Sequence, residues 1–196
     1  MRIGALRLSG GSGAARVIVR STRCGDPATR TRTHTACSTA EEATALEVTE
    51  LDREDVAELG SALLALQRLA YAVEARLIGD DRIPTLHESE SELIAAEHDW
   101  SVVLDPSGSP LGAIAYRVSG GTVEIDRLMV HPDAHRRGIG RLLVRHVLSK
   151  APRAEVSTGR ENAPARRLYE ALGFAFMEDL EALPGLWVSC YRRDDA

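Results

Sequence analysis

An arginine- and glycine-rich run in the second half of the chain has the residue types of an anion-binding site. The run is His135-Arg136-Arg137-Gly138-Ile139-Gly140-Arg141, and the residues after it have the apolar spacing of a helix. The start of a helix directs free backbone N–H groups and the positive end of its dipole at a ligand, and glycine permits close approach. A Rossmann fingerprint does not fit, because position 143 is Leu143, and the P-loop lysine is absent. The pattern predicts a site for a diphosphate.

The predicted strand before this run, Thr122 to Val130, changes its apolar face midway. Apolar residues stand at the odd positions 123 and 125 and then at the even positions 128 and 130. A strand has period two, so one inserted residue, a β-bulge near Asp126 or Arg127, explains the change, although chance in a twisted strand would also produce it. A bulge leaves backbone groups free for a ligand.

The elements that must position these segments follow from hydrophobic period and turn composition. We expect a strand at 45–51, a helix after Asp52 or Asp55 that runs past Val73, and a second helix capped by Ser89 or Ser91. Three strands joined by hairpin turns come next, at 100–104, 111–118 and 122–130. The remaining elements are a helix at 138–149, a strand at 154–157, a helix at 163–172, and strands at 174–180 and 186–192.

Two blocks of this sequence resemble the GNAT superfamily of acetyl-CoA-dependent N-acyltransferases. The first is Glu124 to Gly140, with its bulged strand and RRGIG loop, and the second is Glu161 to Phe174, which matches the pattern NxxAxxLYxxxGF. The resemblance covers about residues 45–193. It implies an α/β (α+β) GNAT fold, with a mixed, mostly antiparallel twisted sheet of about seven strands flanked by about four helices. One departure is His135, where the family commonly has Gln or Arg.

The resemblance assigns acetyl-CoA to the bulged strand and the loop that follows it. The pantetheine arm would pair with Leu128, Met129 and Val130 like an added strand. The pyrophosphate would lie on His135, Arg136, Arg137, Gly138, Ile139, Gly140 and Arg141. The N–H near Leu128 or Met129 would bind the thioester oxygen. Asn162 would contact the pantetheine or phosphate region, or cap a helix, or do both.

Catalytic roles follow from the same comparison. Tyr169 would reach the coenzyme sulfur and protonate the leaving thiolate, although it could also be a core aromatic. Glu124 matches the general base of some family members, and Asp126 is the reserve candidate. A surface carboxylate without a catalytic role is the alternative for Glu124.

The acceptor site is expected in the segment after the first strand. It contains the acids and the histidine Glu74, Asp80, Asp81, His87 and Glu88, which could hold a cationic amine or form an ordinary solvated surface. We prefer Glu74 and Glu88, because each stands among apolar residues near the junction of helix and loop.

Composition limits the remaining functions. The chain carries a net charge of −5, yet residues 1–40 hold seven arginines against one aspartate, which leaves −11 on residues 41–196. We therefore expect a mobile basic extension at 1–40 and one domain at 41–196, and no general binding of nucleic acid. The three cysteines lack the spacing of a metal or disulfide framework, and no apolar run is long enough to cross a membrane.

These observations predict a cytoplasmic N-acetyltransferase that transfers an acetyl group from acetyl-CoA to a primary amine of a small molecule or peptide. Transfer would be direct, in a ternary complex and without a metal, and the resemblance allows a homodimer. A non-catalytic acyl-CoA-binding sensor or regulatory module is the alternative.

Overall fold

Seven strands form one sheet in the computed structural model, which describes residues 46–194. The strands are β1 (Thr49–Leu51), β2 (Asp99–Leu104), β3 (Pro110–Ser119), β4 (Thr122–Val130), β5 (Arg153–Gly159), β6 (Ala175–Leu183) and β7 (Leu186–Asp194). Their order across the sheet is β1-β2-β3-β4-β5-β7-β6. Only β4 and β5 run parallel; every other neighbouring pair is antiparallel. The expected mostly antiparallel sheet of about seven strands is confirmed, whereas the extension predicted at 1–40 lies outside the described residues.

Helices fill the connections. They are α1 (Arg53–Glu58), α2 (Gly60–Ile78), α3 (Glu90–Ala95), α4 (Ile139–Leu148) and α5 (Ala163–Glu170), with 3-10 turns at Pro84–His87 and Pro132–Ala134. This is one helix more than the sequence predicts, because the helix expected after Asp52 is interrupted at Leu59. Asp52 caps α1 by accepting hydrogen bonds from the N–H groups of Glu54 and Asp55.

Two apolar layers cover the two faces of the sheet. Ile114, Val123 and Ile125 belong to the layer that contains α4 and Tyr169 of α5, whereas Ala113 and Met129 belong to the layer under α1, α2 and α3. Neighbouring residues of a strand point to opposite faces, so α2 and α5 lie on opposite sides of the sheet. Across residues 46–194, no helix combines the length and apolarity needed for a membrane crossing.

The bulge predicted from the apolar positions of β4 is confirmed. Ala115 of β3 lies opposite Arg127, whereas the next residue, Tyr116, lies opposite Ile125, so Asp126 is the inserted residue. The bulge turns Leu128 and Val130 onto the α4 side, and Arg127 shares the α2 side with Met129.

The parallel strands β4 and β5 separate just after this bulge. They pair over four residues only, from Thr122 opposite Arg153 to Ile125 opposite Val156. Beyond that point β5 continues to Gly159 paired with β7 alone, and β4 continues to Val130 paired with β3 alone. The facing backbone edges are therefore not paired with each other, and we call the space between them the gap between β4 and β5.

Candidate functional site

The loop before α4 holds its backbone in a shape suited to an anion. Gly138, the residue before α4, has φ 84°, and Arg136 has φ 64°, the one positive φ among the described residues other than glycine. Successive residues with alternating handedness turn their N–H groups to one side and form an anion-binding concavity. No side chain within residues 46–194 caps α4, so its first N–H groups are available to a ligand.

Three arginine side chains surround this uncapped helix start. Arg136, Arg137 and Arg141 are all exposed. None of the three forms an ion pair with another described residue. Unpaired cations beside free N–H groups favour a ligand with two or more negative charges.

Close packing ties the loop to the gap between β4 and β5. A Cβ at Gly140 would lie 3.3 Å from Leu168 Cδ2 of α5 and 3.7 Å from Val130 Cγ2. His135 Nε2 donates a hydrogen bond of 3.1 Å to the Val130 carbonyl oxygen, which fixes the loop to the end of β4. Asn162 Oδ1 accepts a hydrogen bond of 3.2 Å from the Ala165 N–H, and this confirms its helix-capping role.

Tyr169 of α5 is buried, with 3% of its surface exposed. Its ring packs 5.5 Å from that of Phe174 and 6.2 Å from that of Tyr191. Within residues 46–194, its hydroxyl forms no hydrogen bond. Burial raises the pKa of Tyr169 far above its usual value, and Tyr71 and Glu74 raise it further. The phenol is therefore a neutral proton donor over the whole ordinary pH range.

Glu74 extends from α2 to the end of β5. Its Oε1 accepts hydrogen bonds from the Gly159 N–H at 3.1 Å and from Thr158 Oγ1 at 3.3 Å. The negative charge of Glu74 contributes to the raised pKa of Tyr169, although α2 and α5 lie on opposite faces of the sheet. Among residues 46–194, no basic side chain is paired with this carboxylate.

Glu124 and Asp126, the candidate bases of β4, have different surroundings. Glu124 is exposed and forms no ion pair in the described part of the chain. It lies opposite Glu155, roughly 13 Å of strand from Gly159. Asp126 lies 3.2 Å from His98 Nε2 and accepts from Arg127 Nε at 3.1 Å. Burial alone raises the pKa of Asp126, but His98 and Arg127 bring it down to about 2, which makes Asp126 a weak base.

Glu88, the second expected acceptor residue, is already paired. The Arg127 guanidinium donates to both carboxylate oxygens of Glu88, through Nη1 to Oε2 and, at 3.0 Å, through Nη2 to Oε1. Gln67 Nε2 donates to Glu88 Oε2 at 2.9 Å. Of the two expected acceptor residues, Glu88 has a cationic partner among residues 46–194, and Glu74 has none.

Sequence reasoning missed the roles of Arg127 and Gln67. It considered Arg127 only as a place for the bulge, although a cation next to the buried positions Ile125 and Met129 requires a partner. Gln67 lies on the apolar face of α2 between Leu64 and Tyr71, and it is fully buried. A glutamine on the apolar face of a predicted helix indicates a buried hydrogen-bonding partner, and this signal was available in the sequence.

A mixed sheet that opens beside an arginine-flanked helix start has the features that the sequence resemblance predicts for a GNAT fold. The family model described as "Acetyltransferase (GNAT) family" matches residues 62–174. The chain belongs to this family, and the resemblance seen in its sequence is confirmed.

Several known proteins are similar to this chain in sequence or in fold. UPF0157 protein YqkA of Bacillus subtilis is 37% identical over 138 residues, which are 69% of this chain and 40% of that protein. Peptidyl-lysine N-acetyltransferase YjaB of Salmonella typhimurium is 27% identical over 117 residues, 60% of this chain and 77% of that protein. The PaiA N-acetyltransferase of Thermoplasma acidophilum, solved in complex with coenzyme A, has the same fold, with a TM-score of 0.60 and 15% identity over 76% of this chain and all of that one.

Proposed function

We propose that the protein is an N-acetyltransferase that moves an acetyl group from acetyl-CoA to a primary amine of a peptide or small molecule. The observation that carries the proposal is the start of α4 beside the end of β4, where the described residues provide no side-chain cap and leave three arginines without an ion pair. A diphosphate fits the loop, and an extended pantetheine arm fits the free edge of β4 at Leu128, Met129 and Val130. The complex of the PaiA relative with coenzyme A supports this reading.

Acetyl-CoA supplies the acetyl group as a thioester, and the residues of the chain bind, orient and exchange protons around it. The loop from His135 to Arg141 holds the diphosphate, with Asn162 at the nearby start of α5. The unprotonated amine nitrogen attacks the acetyl carbon, the carbon–sulfur bond breaks, and the Tyr169 hydroxyl donates its proton to the leaving thiolate. The proton that the nitrogen loses as it becomes an amide restores the hydroxyl. This role agrees with a raised pKa and with a hydroxyl that the described residues leave without a hydrogen bond.

Amine recognition is proposed for Glu74. A half-buried carboxylate with hydrogen bonds but no cation gains most from an incoming ammonium group, because the desolvated charge is then compensated. Glu88 has the Arg127 guanidinium as its partner and so offers less to a second cation. Glu124 is proposed to take the proton of the ammonium through a chain of water molecules, because roughly 13 Å of strand separates it from the end of the gap.

The test of the proposed function begins with binding. Calorimetry with coenzyme A should show saturable binding to the wild type, and Arg137→Glu should weaken it by about tenfold, or 1.4 kcal/mol. Arg145→Glu is the matched control, since Arg145 is an exposed arginine of the last turn of α4, away from the loop before the helix. Equal losses of coenzyme A affinity in the two variants, or no binding by the wild type, would contradict the proposed diphosphate site.

Turnover separates the enzyme from a non-catalytic binder of acyl-CoA. Release of free coenzyme A is measured with a lysine-containing peptide, a peptide with a free N-terminal alanine, and a polyamine. The peptidyl-lysine activity in the name of the YjaB relative makes the lysine peptide the first choice. If the protein binds coenzyme A but none of the three amines causes release of free coenzyme A, the result would favour the non-catalytic acyl-CoA-binding module. Cytoplasmic location, a metal-free reaction and a homodimer stay predictions.

A further inference from the structure

The guanidinium of Arg127 is almost completely enclosed by hydrogen-bonding partners. Its side chain is 5% exposed, and the group lies 5.8 Å from the centre of the Trp100 ring. Nη1 and Nη2 bind the two oxygens of Glu88, and Nη1 also donates to Gln67 Oε1 at 2.9 Å. Nε donates to Asp126 Oδ2. Planar, bidentate pairing of this kind fixes both position and orientation.

Gln67 completes the network from the side of α2. Its side chain is fully buried, and its amide uses both of its functions. The oxygen accepts from Arg127, while Nε2 donates to Glu88 Oε2 at 2.9 Å and to the Thr85 carbonyl oxygen at 2.7 Å. A buried polar network with every member satisfied holds its parts in one arrangement.

The network joins three segments that are far apart in sequence. Gln67 belongs to α2, Arg127 directly follows the bulge residue of β4, and Thr85 and Glu88 belong to the connection between α2 and α3. We call residues 84–88 of this connection the acceptor loop. It is attached at two points: the Thr85 carbonyl oxygen accepts from Gln67 of α2, and the Glu88 carboxylate accepts from Arg127 of the strand that borders the gap.

We propose that Arg127 and Glu88 form a clamp that positions the acceptor loop beside the gap between β4 and β5, so that Glu88 acts through Arg127 and not on the amine. The role assigned to the loop, as one wall of the acceptor site, rests on the proposed function. Opening the loop leaves the Arg127 charge buried without its main partner, and this penalty holds the loop in place.

Hydrogen exchange of the unliganded protein tests the clamp itself. Glu88→Gln keeps the shape of the side chain and removes its charge, so peptides that cover residues 84–88 should exchange at least tenfold faster than in the wild type. Peptides from α4 should keep their wild-type rates. Glu97→Gln changes an exposed glutamate beyond α3 and is the matched control. In this variant the peptides that cover residues 84–88 should exchange at the wild-type rate. Unchanged exchange at 84–88 in Glu88→Gln would overturn the proposal.

Steady-state kinetics test the role of the clamp in the reaction, with the amine that the wild type acetylates best. In Glu88→Gln the KM for the amine should rise at least tenfold, while kcat and the Kd for coenzyme A stay within threefold. Arg127→Lys keeps the positive charge but loses the two-pronged pairing of the guanidinium. Its KM for the amine should lie between those of the wild type and Glu88→Gln. An unchanged KM, or an equal loss of coenzyme A binding, would overturn the positioning role.

The clamp and the proposed function are tested by separate results. A wild type that binds no coenzyme A overturns the proposed function, whereas the exchange result still decides whether the clamp holds the loop.

Discussion

Replacing Tyr169 by Phe removes one oxygen atom and should separate stability from activity. The ring keeps its packing against Phe174 and Tyr191, at centroid distances of 5.5 and 6.2 Å. No hydrogen bond is lost within residues 46–194, because the hydroxyl has none there. The free energy of unfolding should therefore change by less than about 1 kcal/mol, the usual net value of one hydrogen bond.

The same substitution should have a large effect on turnover. A positioned general acid contributes about 100- to 10,000-fold, so kcat should fall by that factor, or about 3 to 5 kcal/mol in activation free energy. The raised pKa of Tyr169, caused by burial and by the nearby Tyr71 and Glu74, keeps the acid protonated at alkaline pH. Wild-type kcat should consequently show no loss from this group up to about pH 10, the ordinary pKa of tyrosine.

Amine-dependent release of coenzyme A measures turnover, and urea unfolding measures stability. Tyr116→Phe is the matched control, since Tyr116 is equally buried, in the same apolar layer. It should keep its kcat within about threefold if the effect is specific to the hydroxyl of Tyr169. If Tyr169→Phe keeps wild-type kcat, then Tyr169 is a core aromatic only and the acid must be another group.

Three further predictions concern other parts of the fold. A Cβ at Gly112 would lie 2.5 Å from Ile139 Cγ2, so Gly112→Ala should displace the start of α4, lower stability by about 1 to 3 kcal/mol in urea and weaken coenzyme A binding in calorimetry. The pKa of Asp126 is lowered to about 2, so its charge stabilises the fold above the unfolded pKa near 4, and this contribution is lost as the pH falls from 4 through 2. In urea unfolding between these pH values, Asp126→Asn should lose less stability than the wild type. Lys150, the only lysine of the chain, donates to Glu50 Oε1 at 2.6 Å, and this pairing raises its pKa despite burial. It should stay unacetylated by peptide mass spectrometry after incubation with acetyl-CoA, and Glu50→Gln should increase its modification.

Local patterns of the sequence predicted the features that depend on neighbouring residues. The bulge at Asp126 follows from the parity of four apolar positions, because the period of a strand is a property of the strand alone. The cap of α5 by Asn162 follows in the same way. The break at Leu59 was missed, because the apolar spacing of the predicted helix continues across it and only the described backbone shows where α1 ends.

Features that depend on distant pairs could not be read from spacing. Arg127 and Glu88 are 39 residues apart, and Arg127 and Gln67 are 60 apart, so no periodicity connects them. The sheet brings them together because the bulge turns Arg127 towards α2. The sequence did show a cation, Arg127, at a buried position. Such a cation requires an acidic partner, but the sequence does not identify that partner.

The acids after the first strand show how the fold assigns roles to residues of one type. Asp80 is paired with Arg82 at 2.6 Å, and Glu88 is paired with Arg127. Among the partners that residues 46–194 offer, Glu74 receives hydrogen bonds only from an N–H group and a hydroxyl group, and its charge raises the pKa of Tyr169. A carboxylate that already holds a guanidinium gains little from a second cation, whereas an uncompensated carboxylate gains more. Charge compensation in three dimensions therefore favours Glu74 for amine recognition and leaves Glu88 to hold the loop.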